Sequence, residues 1–138
     1  SKAERTCALI KPDAFAAGYK DAIVERILAE GFKIVNSKDL MLTTKQAEEF
    51  YEEHQARSFY RELVEWMSTP DQPIHAMVLE RENAVKAWRE LAGPTNSANA
   101  RKVAPQSIRA LYGTDSSKNA VHGSDSLESA QREIRIIF

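Results

Sequence analysis

The chain has 138 residues, 43% apolar and 28% charged, and 19 Lys plus Arg against 20 Asp plus Glu leave a formal charge of −1. A chain of this length can bury roughly two thirds of its unfolded surface in one core, its charge balance gives no basic field for a nucleic-acid backbone, and five Gly with five Pro is far from a disordered composition. No run reaches the ~20 apolar residues of a membrane span, no signal peptide opens the sequence, and the single cysteine, Cys7, has no internal disulfide partner, which fits a reducing, cytoplasmic setting.

Residues 6–10, Thr-Cys-Ala-Leu-Ile, form an apolar, β-tolerant run. It stops at Lys11 and Pro12, where proline removes a ladder donor, so a buried strand is predicted. A turn is expected from Asp13 to Gly18. From Lys20 the apolar Ile23, Val24, Ile27 and Leu28 recur at helical spacing and Gly31 follows as an exit residue, predicting an amphipathic helix. Residues 32–42 alternate loosely and read as a long strand. Thr43-Thr44-Lys45-Gln46 has the form of a capping box, with Ala47, Phe50 and Tyr51 on one helical face behind it. A second short helix is expected from Ser58, carrying Leu63, Val64, Trp66 and Met67, and Thr69-Pro70-Asp71-Gln72-Pro73 ends it. Residues 74–79 read as a buried strand, and residues 83–91 as a helix with Val85, Trp88 and Leu91 inward and Gly93 at its exit.

Residues 93–118 show weak periodicity and read as a long loop, a feature that in compact domains usually serves function. Residues 119–122 are a short strand, and after Gly123-Ser124-Asp125 a last helix turns Leu127, Ala130 and Ile134 inward. Without the inserted helix pair the order is βαββαβ. The expected fold class is therefore α+β, a ferredoxin-like four-stranded antiparallel sheet with helices on one face and a long loop over residues 93–118, in one domain over residues 1–138.

His122 stands at the predicted end of a strand, beside the hydroxyls of Ser124 and Ser126 and the carboxylate of Asp125. An imidazole so placed serves as nucleophile, base or ligand, or is a strand-end histidine satisfied by local hydrogen bonds. His54 and His75, expected on a helix flank and in an apolar strand without polar company, read as structural. With the histidines and the cysteine scattered, a protein-held metal is not expected. The sequence has neither a Gly-x-Ser-x-Gly elbow nor a Walker loop, so any phosphate would meet side chains rather than a backbone nest. Lys11, Arg89 and Arg109 fall at element edges, either as solvated charges or converging on one anion. Spacing does not choose between these.

Residues 119–125, Asn-Ala-Val-His-Gly-Ser-Asp, resemble the Asn-x-x-His-Gly-Ser-Asp signature of the nucleoside diphosphate kinase family. Further matches come in family order: Ala8-Leu9-Ile10-Lys11-Pro12-Asp13, Tyr51-x-x-His54, Phe59, Gly93-x-Thr95-Asn96, Ser107-Ile108-Arg109, and Glu128-Ser129-Ala130-x-x-Glu133. Nearly the whole chain is covered. The resemblance implies a ping-pong enzyme that moves the γ-phosphate of ATP or another nucleoside triphosphate onto a nucleoside diphosphate through a phosphohistidine on His122. It implies that Ser124 and Glu133 orient His122, that Lys11, Tyr51, Arg89, Thr95 and Arg109 neutralise and position phosphates, that Lys11 and Asn119 bind ribose hydroxyls, and that Phe59 stacks on the base with Leu63 beside it. Mg²⁺ would arrive on the nucleotide phosphates, with no protein-held metal. The partners implied are nucleoside di- and triphosphates and like subunits of a homo-oligomer, with neither membrane nor sequence-specific nucleic acid.

Some positions depart from the family's common pattern: the segment from Asn96 to Arg109 is longer, Ala110-Leu111-Tyr112 follows Arg109, and Ser116 stands where an apolar base contact is usual. In these the chain looks like the divergent branch found as domains of flagellar and axonemal proteins. That likeness implies a cilium or flagellum location within a larger assembly, and an alternative role as a weakly active or inactive nucleotide-binding scaffold.

Overall fold

A computed structural model describes residues 3–138. Its elements are β1 (Ala3–Ile10), α1 (Pro12–Ala16), α2 (Lys20–Ala29), β2 (Lys33–Leu40), α3 (Thr44–Phe50), a 3-10 turn (Glu52–His54), α4 (Tyr60–Met67), β3 (Ile74–Glu82), α5 (Ala84–Ala92), α6 (Ser97–Val103), α7 (Ile108–Tyr112), β4 (Val121–Gly123) and α8 (Leu127–Ile137). The four strands form one antiparallel sheet in the order β2-β3-β1-β4, the ferredoxin-like arrangement.

From Cys7 to Ile10 the central strand β1 is apolar without alternation because both its faces are covered there. Ala8 and Ile10 join Ile23 and Ile27 of α2 and Trp88 of α5 on one side, while Cys7 and Leu9 join Phe50, Val64, Met67 and Ile137 on the other. Helices thus pack on both faces of the sheet, not one: the inserted pair α3–α4 and the last helix α8 take the second face. Leu28 and Leu127, expected inward, are exposed, because each lies at the edge of its helix's buried stripe.

Local chemistry sets the boundaries. The side chain of Thr43 accepts from the Gln46 backbone while Gln46 returns a bond to the Thr43 amide, the capping box expected for α3. The expected turn after β1 is a helix, α1, with Pro12 in its first turn, where the missing donor costs nothing. The expected long loop holds two helices, α6 and α7, capped by the side chains of Asn96 and Ser107. Their brevity, seven and five residues, hid them from periodicity.

Gly93 leaves α5 at φ 85° and ψ −177°, a conformation that side-chain-bearing residues avoid, and a Cβ there would fall on the Ser107 hydroxyl. We expect Gly93→Ala to lower stability by on the order of 1–3 kcal/mol in a urea titration. An unchanged midpoint would mean that this exit from α5 is not strained.

Candidate active site

The register brings two loop edges together. Leu9 of β1 faces His122 of β4, so the residue just past β1, Lys11, lies at the sheet end where β4 begins, and its amide donates to the Ala120 carbonyl at 2.8 Å. Ala120 takes the left-handed conformation, φ 74°, and its amide donates to Asp13 Oδ2 at 3.0 Å. This crossing of two chain segments fixes where β4 enters the sheet. At the other side of His122, the Trp88 indole donates to the His122 carbonyl at 2.9 Å, and a Cβ on Gly123 would stand 2.8 Å from Trp88 Cδ1. Glycine is needed there for the indole to reach.

The imidazole is held as tightly as its backbone. Nε2 lies 2.8 Å from Glu133 Oε1, and the Ser124 hydroxyl donates to the same oxygen at 2.8 Å. A carboxylate oxygen accepts, so Nε2 carries the hydrogen, and in the neutral imidazole Nδ1 then keeps its lone pair, with no partner among the described residues. The rings of Phe50 and Tyr51 stand edge-on to the imidazole at centroid distances of 4.9 and 5.4 Å. His122 and Glu133 side chains are only 12% and 6% exposed. Phe50, read from the sequence as core alone, is therefore also a wall of the site, a role that helical periodicity does not distinguish.

Lys11, Arg109 and Arg89 converge. Lys11 is buried and its ammonium donates to the Ser117 carbonyl at 3.3 Å. Burial, and then the nearby Arg109 charge, bring its pKa down to about 7. The Arg109 guanidinium donates to the carbonyls of Gly93 at 2.8 Å and Val121 at 2.9 Å, while Nε is buried without a partner. Burial and then the Arg89 charge lower its pKa to about 10. Arg89 reaches Asp125, whose other oxygen is 3.7 Å from His54 Nε2. Arg89, Thr95, Arg109 and Gly123 share a cavity of about 100 Å³. Hollows of about 440 and 690 Å³ along α5 contain neither His122 nor Lys11, so size does not mark the chemistry.

The remaining positions ring this centre. Tyr51 is buried with its hydroxyl unpartnered, and burial, then the Glu133 charge, hold its pKa well above the usual phenol value. Asn119 spends its amide hydrogens on the Thr95 and Ser116 carbonyls at 2.9 and 3.2 Å, which leaves its buried Oδ1 unpartnered. Thr95 is exposed. Phe59 precedes α4 and is 41% exposed, so core packing does not explain it, whereas Leu63 is half-buried against the second core. His54 lies 5.7 Å from the Phe59 ring and near Asp125, and His75 Nδ1 pairs with Asp39 at 2.6 Å across β3 and β2. Both histidines thus have the polar company that the sequence reading denied them, because their partners come from distant segments. Asp13, read as a turn residue, is a structural strut: besides Ala120 it accepts from the Trp66 indole at 3.4 Å.

A neutral imidazole with its lone pair at Nδ1, near three converging cations, can attack an electrophile inside a polyanion. The cations also weigh on stability. The unfolded chain keeps Lys11 protonated up to about 10.5, the folded chain only to about 7, so between these values the unfolded state binds more protons and this group's contribution to stability rises with pH. Lys11→Met should therefore be more stable than the parent at pH 6, by on the order of a few kcal/mol, with the difference fading by about pH 10. Melting temperatures across that range check it; a pH-independent difference would contradict the burial account.

The family model described as nucleoside diphosphate kinase matches residues 4–138. A nucleoside diphosphate kinase of Aquifex aeolicus (strain VF5) is 53% identical over 135 residues, covering 98% of this chain and 94% of its own. An orthorhombic crystal structure of the Aquifex aeolicus nucleoside diphosphate kinase is similar with a TM-score of 0.95 at 52% identity, over 99% of this chain and 96% of that one. A halophilic nucleoside diphosphate kinase from Halobacterium salinarum, solved in complex with CDP, is similar with a TM-score of 0.90 at 34% identity, over 99% and 88% of the two chains.

Proposed function

The chain belongs to the nucleoside diphosphate kinase family, and from that premise we propose that His122 Nδ1 is the nucleophile of a ping-pong transfer between nucleotides. The Nδ1 lone pair attacks the γ-phosphorus of a nucleoside triphosphate. The bond to the β,γ-bridging oxygen breaks, and the electrons leave with the diphosphate. A second diphosphate then enters, its terminal oxygen attacks the same phosphorus, and the N–P bond breaks to restore the neutral imidazole. The hydrogen stays on Nε2 and keeps donating to Glu133 throughout, so the cation that forms as phosphorus is bound faces a carboxylate.

The observation that carries this reading is the set of buried atoms left without partners. Four such side-chain atoms occur among the described residues, and three belong to Tyr51, Arg109 and Asn119 around His122. Buried polar groups normally have partners. Phosphate oxygens would accept from the Tyr51 hydroxyl and Arg109 Nε, and a ribose hydroxyl would donate to Asn119 Oδ1. With Lys11 and Arg89, the side chains then neutralise a polyphosphate and hold it in line, which is most of what phosphoryl transfer asks of a protein. Arg109 has a second role, since its bonds to Gly93 and Val121 tie the segment after α5 to β4. Its removal would damage stability as well as transfer.

No cluster of three His, Cys, Asp or Glu among the described residues is placed to hold a metal. In this reading Mg²⁺ enters with the nucleotide, coordinated by phosphate oxygens and water, and shields the transferring charge. Phe59, exposed at the start of α4, offers a face to any base, and the CDP-bound relative supports the acceptance of a pyrimidine. The reading takes residues 1–138 as one catalytic domain, in a cytoplasmic setting and assembled with like subunits. No helix among the described residues is long and apolar enough to cross a membrane.

Incubation with γ-labelled ATP and Mg²⁺ should give a base-stable, acid-labile label on the protein that passes to added diphosphate and is lost in His122→Ala. Absence of label sinks the reading. Protection by ADP in a melting assay without transfer would leave the scaffold role, and steady ATP loss without acceptor would indicate a phosphatase. Phe59→Ala should weaken ADP, GDP and CDP alike, by about 1–3 kcal/mol; a loss confined to one base would refute stacking.

A further inference from the structure

We propose that Arg132 of α8 is a positioning residue for the transfer step, acting by fixing the turn that sets Tyr51 against His122. The inference rests on the reading of His122 as the nucleophile.

A helix ends with carbonyls that have no partner within it, and something must satisfy them. In α3 the Ala47 carbonyl accepts from the Tyr51 amide at 3.0 Å and the Glu48 carbonyl from the Tyr60 hydroxyl at 3.3 Å. The next two carbonyls are taken from another helix: Arg132 donates to Glu49 at 2.8 Å and to Phe50 at 3.2 Å. The guanidinium also donates to Glu53 Oε1 at 2.9 Å, an oxygen that accepts from the Ser129 hydroxyl at 2.6 Å. Arg132 therefore grips the chain on both sides of Tyr51, at residues 49, 50 and 53. A planar fork can reach two successive carbonyls and a carboxylate at once, which an ammonium cannot.

The grip lies on the helix that also carries Glu133. One turn of α8 thus fixes the imidazole at Nε2 through Glu133, and the backbone bearing the neighbouring phenol through Arg132. The Tyr51 hydroxyl is buried and unpartnered. With no hydrogen bond to hold it, its place is set by the backbone and by packing in the second core, including the rings of Phe50 and His122. A misplacement of ~1 Å in such a group costs about a hundredfold in rate. The ion pair within this grip adds little stability, since the Arg132 and Glu53 side chains are 26% and 42% exposed and partly solvated pairs contribute little. Geometry is what it supplies.

The test is rapid-quench measurement of label transfer from γ-labelled ATP to the intact protein, in the parent, Arg132→Ala, Arg132→Lys and Glu53→Gln, each with and without Tyr51→Phe. ADP binding and melting temperature are measured alongside. We expect Arg132→Ala to slow labelling on the order of tenfold, while the ADP dissociation constant moves less than about twofold. Arg132→Lys and Glu53→Gln should fall between it and the parent. In the Tyr51→Phe background, where no hydroxyl is left to misplace, the slowing should shrink to less than about twofold. Labelling within about twofold of the parent in Arg132→Lys and Glu53→Gln overturns the inference even if Arg132→Ala does not fold. So does an undiminished slowing in Tyr51→Phe. A parent protein that takes no label at His122 defeats the functional reading itself, and the inference falls with it.

Discussion

The hydrogen bond from His122 Nε2 to Glu133 Oε1 decides what the site can do. A neutral imidazole has one donor nitrogen and one acceptor nitrogen, and a buried carboxylate that only accepts leaves no choice as to which is which. The lone pair is thereby assigned to Nδ1. Ser124 reinforces the choice by donating to the same oxygen, and Gly123 permits it indirectly, because the indole of Trp88 must reach the His122 carbonyl for the strand to stay in register. Replace the carboxylate by a donor and the same ring, in the same place, would turn its lone pair toward the interior.

Charge is the second constraint, and it opposes folding. A total of −1 conceals a point at which Lys11 and Arg109 are buried near each other and Arg89 adds to the field. Among the described residues no carboxylate pairs directly with the Lys11 ammonium or the Arg109 guanidinium, which instead donate to backbone carbonyls. Carbonyl dipoles stabilise a cation less than a carboxylate does, and they leave the charge available to a ligand. The protein thus keeps a positive potential that a bound polyphosphate would relieve, and burial with the neighbouring Arg109 charge lowers the Lys11 pKa in its absence.

The sequence disclosed the frame and the centre of this arrangement for physical reasons. A strand segment buried on both faces is apolar at every position, so the inner half of β1, Cys7–Ile10, was readable. The capping box of α3 and the glycine exits of α2 and α5 are local chemistry, so those boundaries were too. The signature around His122 pointed to phosphate through resemblance, since spacing alone left that histidine ambiguous. What stayed hidden is what depends on distant partners: His75 with Asp39, His54 with Asp125, and Asp13 bracing Ala120. The helices α6 and α7 were missed although Asn96 and Ser107 are good caps, because elements this short complete too few turns to show a period. Helices on the second face were missed because removing the inserted pair from the pattern also removed its reason to pack anywhere.

The second face explains why a common sheet arrangement becomes a particular site. The βαββαβ frame contributes Lys11 at the end of β1, Arg89 on α5 and His122 on β4, a lysine, an arginine and an imidazole at one end of a sheet. On the frame alone His122 would project from the uncovered face into water, with neither nitrogen distinguished. The additions surround it: α3 brings Phe50 and Tyr51, α4 follows Phe59, α7 brings Arg109, and α8 brings Glu133. Each packs because it has its own apolar stripe, so the same burial that stabilises these elements also excludes water from the ring. The departure from helices on one face is thus the structural condition for a desolvated, tautomer-fixed histidine.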